Sequence, residues 1–492
     1  MTKTGKFTAP LHRRHFLQGM GAATVLSLGA CGASKVLRSP YSGQELVQPP
    51  VETATNKTLS TKVVAQMGHY KLDGNDVHLR SYNGNPVGQT LDLRAKDTLK
   101  LALTNTLPDI PGTEVCTIDG LKVITGYNVT NMHVHGLHVS PKQPSDDIFL
   151  SIVPGGHYNY EYKIPEGHPP GTYFYHAHVH GSTAIQVGSG MSGALIIRGE
   201  VDDIPEIKAA TEKVMVFQTQ RFDAAGECEN YGTLNVGNET YINGQYLPVI
   251  RLKKGEVQRW RLINASHKVP LELTLEWYRY TTNMPFTVLC LDGNPLPKTK
   301  QVNSLMLVPG NRADILVKGF SPGTYYLTGG TEGGNLATVI VEDEGEDMTL
   351  YEGELPKYEH LKPIGADEVT YGRRLDFDFV YGETPSFTIN NNPFSCDNPW
   401  QIPLGAVEEW EVYNHTAYPH PFHIHVNPFQ VVSGGNVDPG TWLDTLNFPA
   451  YERITFRTRF LDYTGKFVFH CHNLMHEDMG MMQGVEVVDT KT

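Results

Sequence analysis

Apolar and polar residues alternate in short runs along most of the chain, and few stretches show a helical period. Three of these runs end in asparagine: KDTLKLALTN at 96–105, GEVQRWRLIN at 255–264 and GAVEEWEVYN at 405–414. Successive side chains of a strand point to opposite faces, so a period of two predicts strands with one buried face. Many such strands, separated by turns rich in Gly and Pro, predict β-sandwiches.

The alternating pattern recurs at near-constant spacing, which indicates a repeated β unit. A second recurring strand begins at Gly171, Gly323 and Gly465, again at similar intervals. A chain of 492 residues is too long for one core, and three copies of one unit fit its length. We therefore expect an all-β fold, with an N-terminal segment and three consecutive sandwich domains at residues 1–45, 46–200, 201–345 and 346–492.

The N-terminal segment has the features of an export signal. Arg13 and Arg14 precede a modestly apolar run, a pattern typical of twin-arginine signals. The sequence LGAC at 28–31 is typical of a lipoprotein cleavage box, which makes Cys31 a candidate lipid anchor. We expect an exported protein, periplasmic or associated with the cell envelope; the alternative is a cytosolic protein with a chance arginine pair. The net charge of −13 disfavours nucleic acid as a partner.

An oxidising compartment would permit disulfides among the six cysteines. Cys31 belongs to the export signal, and Cys471 lies in a histidine-rich motif. The remaining four allow three full pairings, between which the sequence does not choose: Cys116, Cys228, Cys290 and Cys396. Cys290 lies in the apolar run VLCL, so we expect it to be a buried core thiol, and one bridge is as compatible with the sequence as two.

The richest chemistry lies near the C-terminus, in the run His470-Cys471-His472 with His476 and Met481 beyond it. On a strand, the period of two places His470 and His472 on one face and Cys471 on the other. A thiolate with two imidazoles and a weak thioether is the ligand set of a blue-copper site. Cys471, His476 and Met481 supply three of these four groups.

Three further histidine clusters complete the pattern. HPFHIH contains His420, His423 and His425, while two His-x-His pairs lie upstream at His133/His135 and His176/His178. One such pair could occur by chance, but four clusters together predict a metal protein. In the middle copy of the repeat, Thr328 and Gly330 stand where the other copies have histidines. We therefore expect the second domain to lack copper ligands and to hold the outer two together.

The motifs HVHG, HAH, HPFHIH and HCHNLMHEDMGM resemble those of the multicopper oxidases, specifically the three-domain laccase-like enzymes, over roughly residues 60 to 488. The resemblance implies cupredoxin-like Greek-key domains and four copper ions, one of type 1, one of type 2 and two of type 3. It implies these ligands: His420, Cys471, His476 and Met481 for type 1; His133 and His423 for type 2; His135, His176 and His472 for one type 3 copper; His178, His425 and His470 for the other.

Two carboxylates are implied as proton donors, because reducing dioxygen to water consumes four protons. The family places one such acid at Glu477, directly after His476. A second is expected shortly after His133, where Asp146 and Asp147 are adjacent; we favour Asp146, and a solvated acidic turn is the alternative. Electrons are expected to enter at His476 and to pass through Cys471 to the histidines on either side of it.

The reducing substrate is less sharply defined by the sequence. Similar enzymes that oxidise Cu(I) have a methionine-rich insert before the third domain, whereas this chain has only Met348 between 341 and 390. Those enzymes also have an Asp where this chain has Thr416. Both differences favour a phenol or aromatic amine, with dioxygen as acceptor. The alternatives are a periplasmic cuprous or other metal oxidase in copper tolerance, and a non-catalytic copper-binding electron carrier.

Overall fold

The computed structural model describes residues 43–490 except 111, 119–120, 236–238, 278–282, 331–332 and 382–385. The twin-arginine pair and Cys31 lie outside the described residues. Almost every element is a strand, so the predicted all-β fold is confirmed. None of the helices in the described part of the chain has the length and apolar character needed to cross a bilayer.

The first sandwich is built from the N-terminal strands. They are β1 (Val51–Thr53), β2 (Thr58–Leu72), β3 (Asn75–Tyr82), β4 (Gly88–Arg94), β5 (Thr98–Asn105), β6 (Thr113–Ile118), β7 (Leu121–Thr125), β8 (His133–His135), β9 (His157–Lys163), β10 (Gly171–His176) and β11 (Ser192–Arg198). One sheet has the order β3-β2-β5-β9 and the other β1-β4-β11-β10-β8, while β6 and β7 form a separate hairpin. Leu99, Leu101 and Leu103 of β5 face the core between the sheets, as their alternation predicts.

The second sandwich follows the same plan. Its strands are β12 (Thr211–Gln218), β13 (Tyr241–Ile242), β14 (Val249–Lys253), β15 (Val257–Asn264), β16 (Leu271–Trp277), β17 (Phe286–Leu291), β18 (Asn294–Val302), β19 (Leu305–Leu307), β20 (Arg312–Lys318), β21 (Gly323–Thr328) and β22 (Asn335–Glu342). The sheet orders are β13-β12-β15-β20-β17-β18 and β14-β22-β21-β16-β19. Trp260 and Phe286 are among its fully buried core side chains.

The third sandwich contains the remaining strands. They are β23 (Tyr371–Val380), β24 (Ser386–Ile389), β25 (Trp400–Pro403), β26 (Ala406–Asn414), β27 (His420–Ile424), β28 (Phe429–Ser433), β29 (Trp442–Leu443), β30 (Thr445–Phe448), β31 (Arg453–Phe460), β32 (Gly465–Cys471) and β33 (Met482–Val488). The sheet orders are β24-β23-β26-β31-β28-β29 and β25-β33-β32-β27-β30. Cys471 and Met481 belong to its core, together with Trp410 and Phe422.

The three asparagines at the ends of β5, β15 and β26 have equivalent structural roles. Asn105, Asn264 and Asn414 are buried, and the side-chain amide of each donates to at least two backbone carbonyls in segments beyond its strand. The side-chain oxygen of each accepts from the backbone N–H two residues later. A buried amide with all these partners fixes where the chain turns after the strand, which explains why the alternating run ends in Asn each time.

The described helices are short: α1 (Thr183–Ser189) lies within the first sandwich, α2 (Pro205–Ala209) between the first and second, and α3 (Leu474–Asp478) within the third. Short 3-10 turns occur at Glu200–Asp203, Thr233–Asn235, Glu359–Leu361 and Ala366–Glu368. The carboxylate of Asp478 accepts hydrogen bonds from the backbone N–H groups of Gly181, Thr183 and Ala184, and from the hydroxyl of Tyr231. Asp478 thereby joins the end of α3 to the start of α1.

One disulfide connects the first and third sandwiches. Cys116 of β6 is bonded to Cys396, which precedes β25, with their Cα atoms 6.3 Å apart. Cys228 and Cys290 are free and buried, so the expected core position of Cys290 is confirmed. The bridge therefore links the hairpin β6–β7 covalently to the third sandwich, although the two cysteines are 280 residues apart in the sequence.

Candidate metal centre

Four strands bring the histidine motifs into one buried space between the first and third sandwiches. In the first sandwich β8 pairs with β10, which sets His133 opposite His176. In the third, β27 pairs with β32, which sets His423 opposite His470 and Phe422 opposite Cys471. Because successive side chains of a strand point to opposite faces, His470 faces the histidine cluster while Cys471 faces the core of its own sandwich.

Eight histidines converge in this space, and every one is buried: His133, His135, His176, His178, His423, His425, His470 and His472. The Nε2 atom of His470 lies 3.2 Å from Nε2 of His178 and 3.2 Å from Nε2 of His425. The rings of His135 and His423 stack with their centroids 3.8 Å apart. Imidazoles from two sandwiches thus point at one another across a gap of metal-ligand dimensions.

Four of these rings show the hydrogen-bond pattern that is typical of a metal-binding histidine. His133 Nε2, His135 Nδ1, His176 Nε2 and His423 Nε2 are buried without a hydrogen-bond partner, while the other nitrogen of each ring is bonded to protein. A buried polar atom without a partner costs about 1–3 kcal/mol. A cluster of such nitrogens therefore fits metal ions in the space that they share.

The electrostatics of the cluster keep its rings neutral. Burial lowers the pKa of His176 to about 3, with the backbone carbonyl of Ala177 opposing the shift in part. Burial and the surrounding imidazoles hold the pKa of His133 well below its ordinary value. A neutral imidazole is the metal-binding form, since protonation would occupy the lone pair.

Asp146 and Asp147 are adjacent in sequence but face different surroundings. Asp146 is buried, and Oδ2 accepts from His133 Nδ1 at 2.8 Å while Oδ1 accepts from the backbone N–H of Val134. Asp147 instead accepts from the side chain of Gln143 and from the backbone N–H of Phe149. Asp146 therefore fixes the tautomer of His133 so that Nε2 faces the cluster.

Glu477 lies against the opposite side of the same cluster and is fully buried. Its Oε1 accepts from the hydroxyl of Thr183 at 3.1 Å and lies 3.7 Å from His178 Nδ1. Its Oε2 lies 3.4 Å from His470 Nδ1. Burial, with a smaller contribution from the neighbouring carboxylate of Asp478, raises the pKa of Glu477 well above its ordinary value.

A second and smaller cluster lies on the other side of Cys471. His420 Nδ1 is 3.3 Å from Cys471 Sγ, and His476 Nδ1 is 3.0 Å from His420 Nδ1 and 3.8 Å from the same sulfur. Met481 is fully buried, its N–H donates to the His476 carbonyl, and its carbonyl accepts from the N–H of Cys471. The turn after α3 therefore brings the Met481 backbone to the His-Cys-His triangle.

Of the three side chains in this triangle, His476 lies closest to the protein surface. It stacks on Phe387 with the centroids 3.9 Å apart, and Tyr418, about half exposed, lies beside it. His420 is buried, and its Nε2 lies 2.7 Å from Thr416 Oγ1. Thr416 thus holds His420 with Nδ1 toward Cys471.

Three sequence-family models, each described as a multicopper oxidase, match the chain at residues 64–202, 210–344 and 368–491. The chain belongs to the multicopper oxidases. The implied resemblance to the three-domain laccase-like enzymes is therefore confirmed: the protein is an oxidoreductase of this family, and copper is its cofactor.

Individual relatives agree with this assignment. The chain is 26% identical to the multicopper oxidase mco of Staphylococcus aureus over 92% of this chain and 94% of that one. It is 23% identical to a laccase of Bacillus subtilis, over 89% and 96% of the two chains. A solved multicopper oxidase from Campylobacter jejuni, described as a metallo-oxidase, has the same fold with a TM-score of 0.74 and 23% identity, covering 90% of this chain and 95% of that one. The cupredoxin-like architecture is thereby confirmed.

The sequence did not predict that Asp444, in the third sandwich, contacts the histidine cluster. Asp444 lies 3.2 Å from His135 Nε2, and its carbonyl accepts from His423 Nδ1. Arg312 of the second sandwich is fully buried and binds both oxygens of Asp444, at 2.8 and 2.5 Å. Asp444 is a single acid in the run WLDTL, so only its three-dimensional position reveals it.

The glycine of the HVHG motif, Gly136, is the one sequence feature that relates to the ion pair between Arg312 and Asp444. Its φ of 86° lies in the left-handed region, and a Cβ there would meet the side chains of Arg312 and Asp444. The motif therefore ends in glycine because a buried ion pair occupies the space beside its second histidine.

Proposed function

We propose that the protein holds four copper ions and is a laccase-like oxidase, which couples one-electron oxidation of phenols or aromatic amines to reduction of dioxygen to water. The observation that carries the proposal is the pair of buried clusters on the two faces of one strand, joined through Cys471. The histidine cluster has partnerless ring nitrogens directed inward, and the triangle has the thiolate-imidazole chemistry of a blue-copper site.

The ligand assignment follows the resemblance, and the convergence of these residues into two clusters supports it. The type 1 ligands would be His420, Cys471 and His476, with Met481 as the axial group. The type 2 ligands would be His133 and His423. The two type 3 ions would be held by His135, His176 and His472, and by His178, His425 and His470. Copper in these sites would supply one-electron transfer at the triangle and dioxygen reduction at the histidine cluster.

The chain itself provides the connection between the two clusters. Cys471 is covalently joined through its peptide groups to His470 and His472, which both belong to the histidine cluster. The Cys471 side chain and its peptide groups would thus provide a short through-bond path between copper held in the triangle and copper held in the histidine cluster. This arrangement separates the collection of single electrons from a reaction that needs four.

Two buried acids are positioned for proton transfer on opposite sides of the histidine cluster. Glu477 contacts the rings of His178 and His470 and lies at the end of a hydrogen bond from Thr183. Asp146 bonds to His133. We assign Glu477 the delivery of protons to the reduced oxygen atoms, and Asp146 the orientation of His133 together with proton transfer on its side.

The surroundings of His476 favour an aromatic reductant. Phe387 and Tyr418 provide an aromatic wall beside the partly exposed imidazole, against which a flat ring can pack. Thr416 is neutral, whereas an acid at this position would attract a cation. These contacts support electron entry from an organic substrate through the His476 edge.

We also propose that the protein acts outside the cytosol, either in the periplasm or attached to the envelope through a lipidated Cys31. The disulfide between Cys116 and Cys396 supports this location, because such bonds persist in oxidising compartments. A twin-arginine route would carry the chain already folded with its metal.

Oxygen-electrode turnover of purified, copper-loaded protein tests the proposal. A phenol, an aromatic amine and Cu(I) are supplied in parallel, and peroxide is assayed in the same samples. We expect the organic substrates to be oxidised faster than Cu(I), with four substrate molecules consumed per dioxygen and little peroxide. Faster turnover of Cu(I) would instead favour a metal oxidase, and no oxygen uptake with any donor would leave only an electron carrier.

A further inference from the structure

Two histidines face each other on the outside of the first sandwich, away from the copper clusters. His69 of β2 and His78 of β3 are direct cross-strand neighbours, and their rings stack with centroids 3.8 Å apart at an interplanar angle of 17°. The backbone N–H of His78 donates outward to the carbonyl of Gly226 and not to β2. The pair is therefore a non-hydrogen-bonded one, the type that brings opposite side chains closest together.

Glu227 gives one of these rings a defined tautomer. Its Oε1 lies 2.9 Å from His78 Nδ1, so this nitrogen donates and Nε2 keeps its lone pair. Asp223 braces the loop, because its side chain accepts from the backbone N–H groups of Ala225 and Glu227. A carboxylate that accepts from the rear nitrogen of a histidine is the usual support of a metal-binding imidazole, because it fixes the orientation of the ring.

The charges around the pair permit a cation. Next along the same face, Lys71 and Asp76 neutralise each other at 2.8 Å. On the other side, the guanidinium of Arg80 is buried and donates to the side chain of Asn128 and the carbonyl of Cys228, and the carboxylates of Glu227 and Glu229 lie near enough to offset its charge. The chain as a whole carries a net charge of −13.

We propose that His69 and His78 form an accessory site for a divalent transition-metal ion on the surface of the first sandwich. The Nε2 atoms of both rings are its ligands, Glu227 orients His78, and water completes the coordination. His69 is exposed, so its ring has room to tilt toward a shared ion. Two imidazoles with water suit Cu(II) and Zn(II), and the general order of affinities places Cu(II) above Zn(II).

Calorimetric titration of Zn(II) into the four-copper protein tests this site, because Zn(II) is spectroscopically silent and leaves the blue absorption readable. We expect one Zn(II) per chain, bound in the micromolar range. His69→Gln and His78→Gln should each abolish this binding. Glu227→Gln should weaken it by roughly 10–100-fold, the usual effect of losing the carboxylate behind a ligand histidine.

His157→Gln is the matched control, since His157 is an exposed histidine on β9 of the same sheet. It should bind Zn(II) as the unaltered protein does. Near-ultraviolet circular dichroism of each variant reports whether the fold is intact, and the exposed His69 position is the safer of the two for folding. Zn(II) binding that survives both His69→Gln and His78→Gln, or binding only at millimolar concentrations, would overturn the proposal. Calorimetry and circular dichroism are both measured without turnover, so the test does not depend on the proposed oxidase activity.

Discussion

At the scale of single residues, the two nitrogens of each cluster histidine have different tasks. In His133, Nδ1 donates to Asp146 and Nε2 faces the cluster. In His423, Nδ1 donates to the carbonyl of Asp444 and Nε2 faces inward. The partners at the rear thus decide which nitrogen can bind a metal, and they preset the ring orientation before any ion arrives.

Cys471→Ser tests the thiolate assignment. A serine oxygen cannot provide the sulfur-to-copper charge transfer of a blue site, so we expect the intense blue absorption to vanish and oxygen uptake to stop. The fold should persist, because the side chain keeps nearly the same volume in the core. Visible absorption and circular dichroism measure the two effects, and a Cys471→Ser protein that stayed blue would remove the type 1 assignment.

Met481→Leu tests the axial position. Leucine fills the buried space but donates no electron pair, so loss of the weak thioether should raise the reduction potential while the blue colour remains. Redox titration of the blue band measures the change. Met479→Leu is the control, since Met479 is over a third exposed and should leave the potential unchanged. An unchanged potential in Met481→Leu would direct attention to Met482.

Glu477→Gln separates proton delivery from electron entry. The amide keeps the size of the carboxyl and can still accept from Thr183, but it cannot titrate. Anaerobic reduction by substrate should keep its rate, whereas reoxidation by dioxygen should slow by about 10²–10⁴-fold, the usual contribution of a positioned acid. Stopped-flow absorption resolves both phases. Asp147→Asn serves as the control because its carboxylate faces Gln143 and Phe149, away from His133; slowed reduction in Glu477→Gln would place the acid on the substrate side.

The residues of the two candidate clusters were predictable from sequence to the extent that strand spacing decides which side chains share a face. His470, Cys471 and His472 needed only the period of two. The choice between Asp146 and Asp147 required the fold, since neighbouring residues on a loop have the same sequence signal. Asp444 and Arg312 were invisible because their partners come from three different sandwiches.

At the scale of elements, the strands followed their alternation but the helices had no readable pattern. All residues of α1 are buried, so it shows no polar face and no helical hydrophobic period. The helix α3 has only five residues, two of which are His476 and Glu477, so residues of the candidate site leave little room for a helical hydrophobic pattern. Both helices are held by tertiary contacts, of which Asp478 is the clearest.

Asp478→Ala should destabilise the junction between α1 and α3. It would leave the N–H groups of Gly181, Thr183 and Ala184 without their acceptor, and such losses cost about 1–3 kcal/mol. Urea-induced unfolding measures the change in the free energy of unfolding. Tyr231→Phe is the graded comparison, because it removes only the hydroxyl bond to Asp478 and should cost less; equal losses in the two variants would contradict the capping role.

At the scale of the whole molecule, the second sandwich holds the outer two together. Arg312 donates to Asp444 of the third sandwich and to the carbonyl of Thr172 in the first. Apolar side chains of the first and second sandwiches also pack together, including Phe174 and Ile196 against Val216 and Ile263. Sequence comparison of the copies predicted a structural role for this domain, but the residues that perform it carry no motif.

The disulfide should add stability without affecting the two candidate copper clusters. Replacing Cys116 and Cys396 together by Ala should cost about 2–4 kcal/mol, chiefly because the unfolded chain gains freedom over a long loop. Denaturant unfolding measures the loss, and the blue absorption should be retained. Cys116→Ala alone should have nearly the same effect as the double variant, since either change breaks the same bond; additive effects would mean that the two sulfurs stabilise the protein separately.

The distribution of the two candidate clusters between sandwiches has a consequence for biosynthesis. His420, Cys471, His476 and Met481 all lie in the third sandwich, which ends at Val488, so the triangle can form as soon as this last domain folds. The histidine cluster needs β8 and β10 from the first domain and β27 and β32 from the last, so it forms only after the folded domains have docked. Metal uptake is therefore expected to be ordered, with the blue colour appearing first and oxygen reactivity arriving only after the final domains have come together.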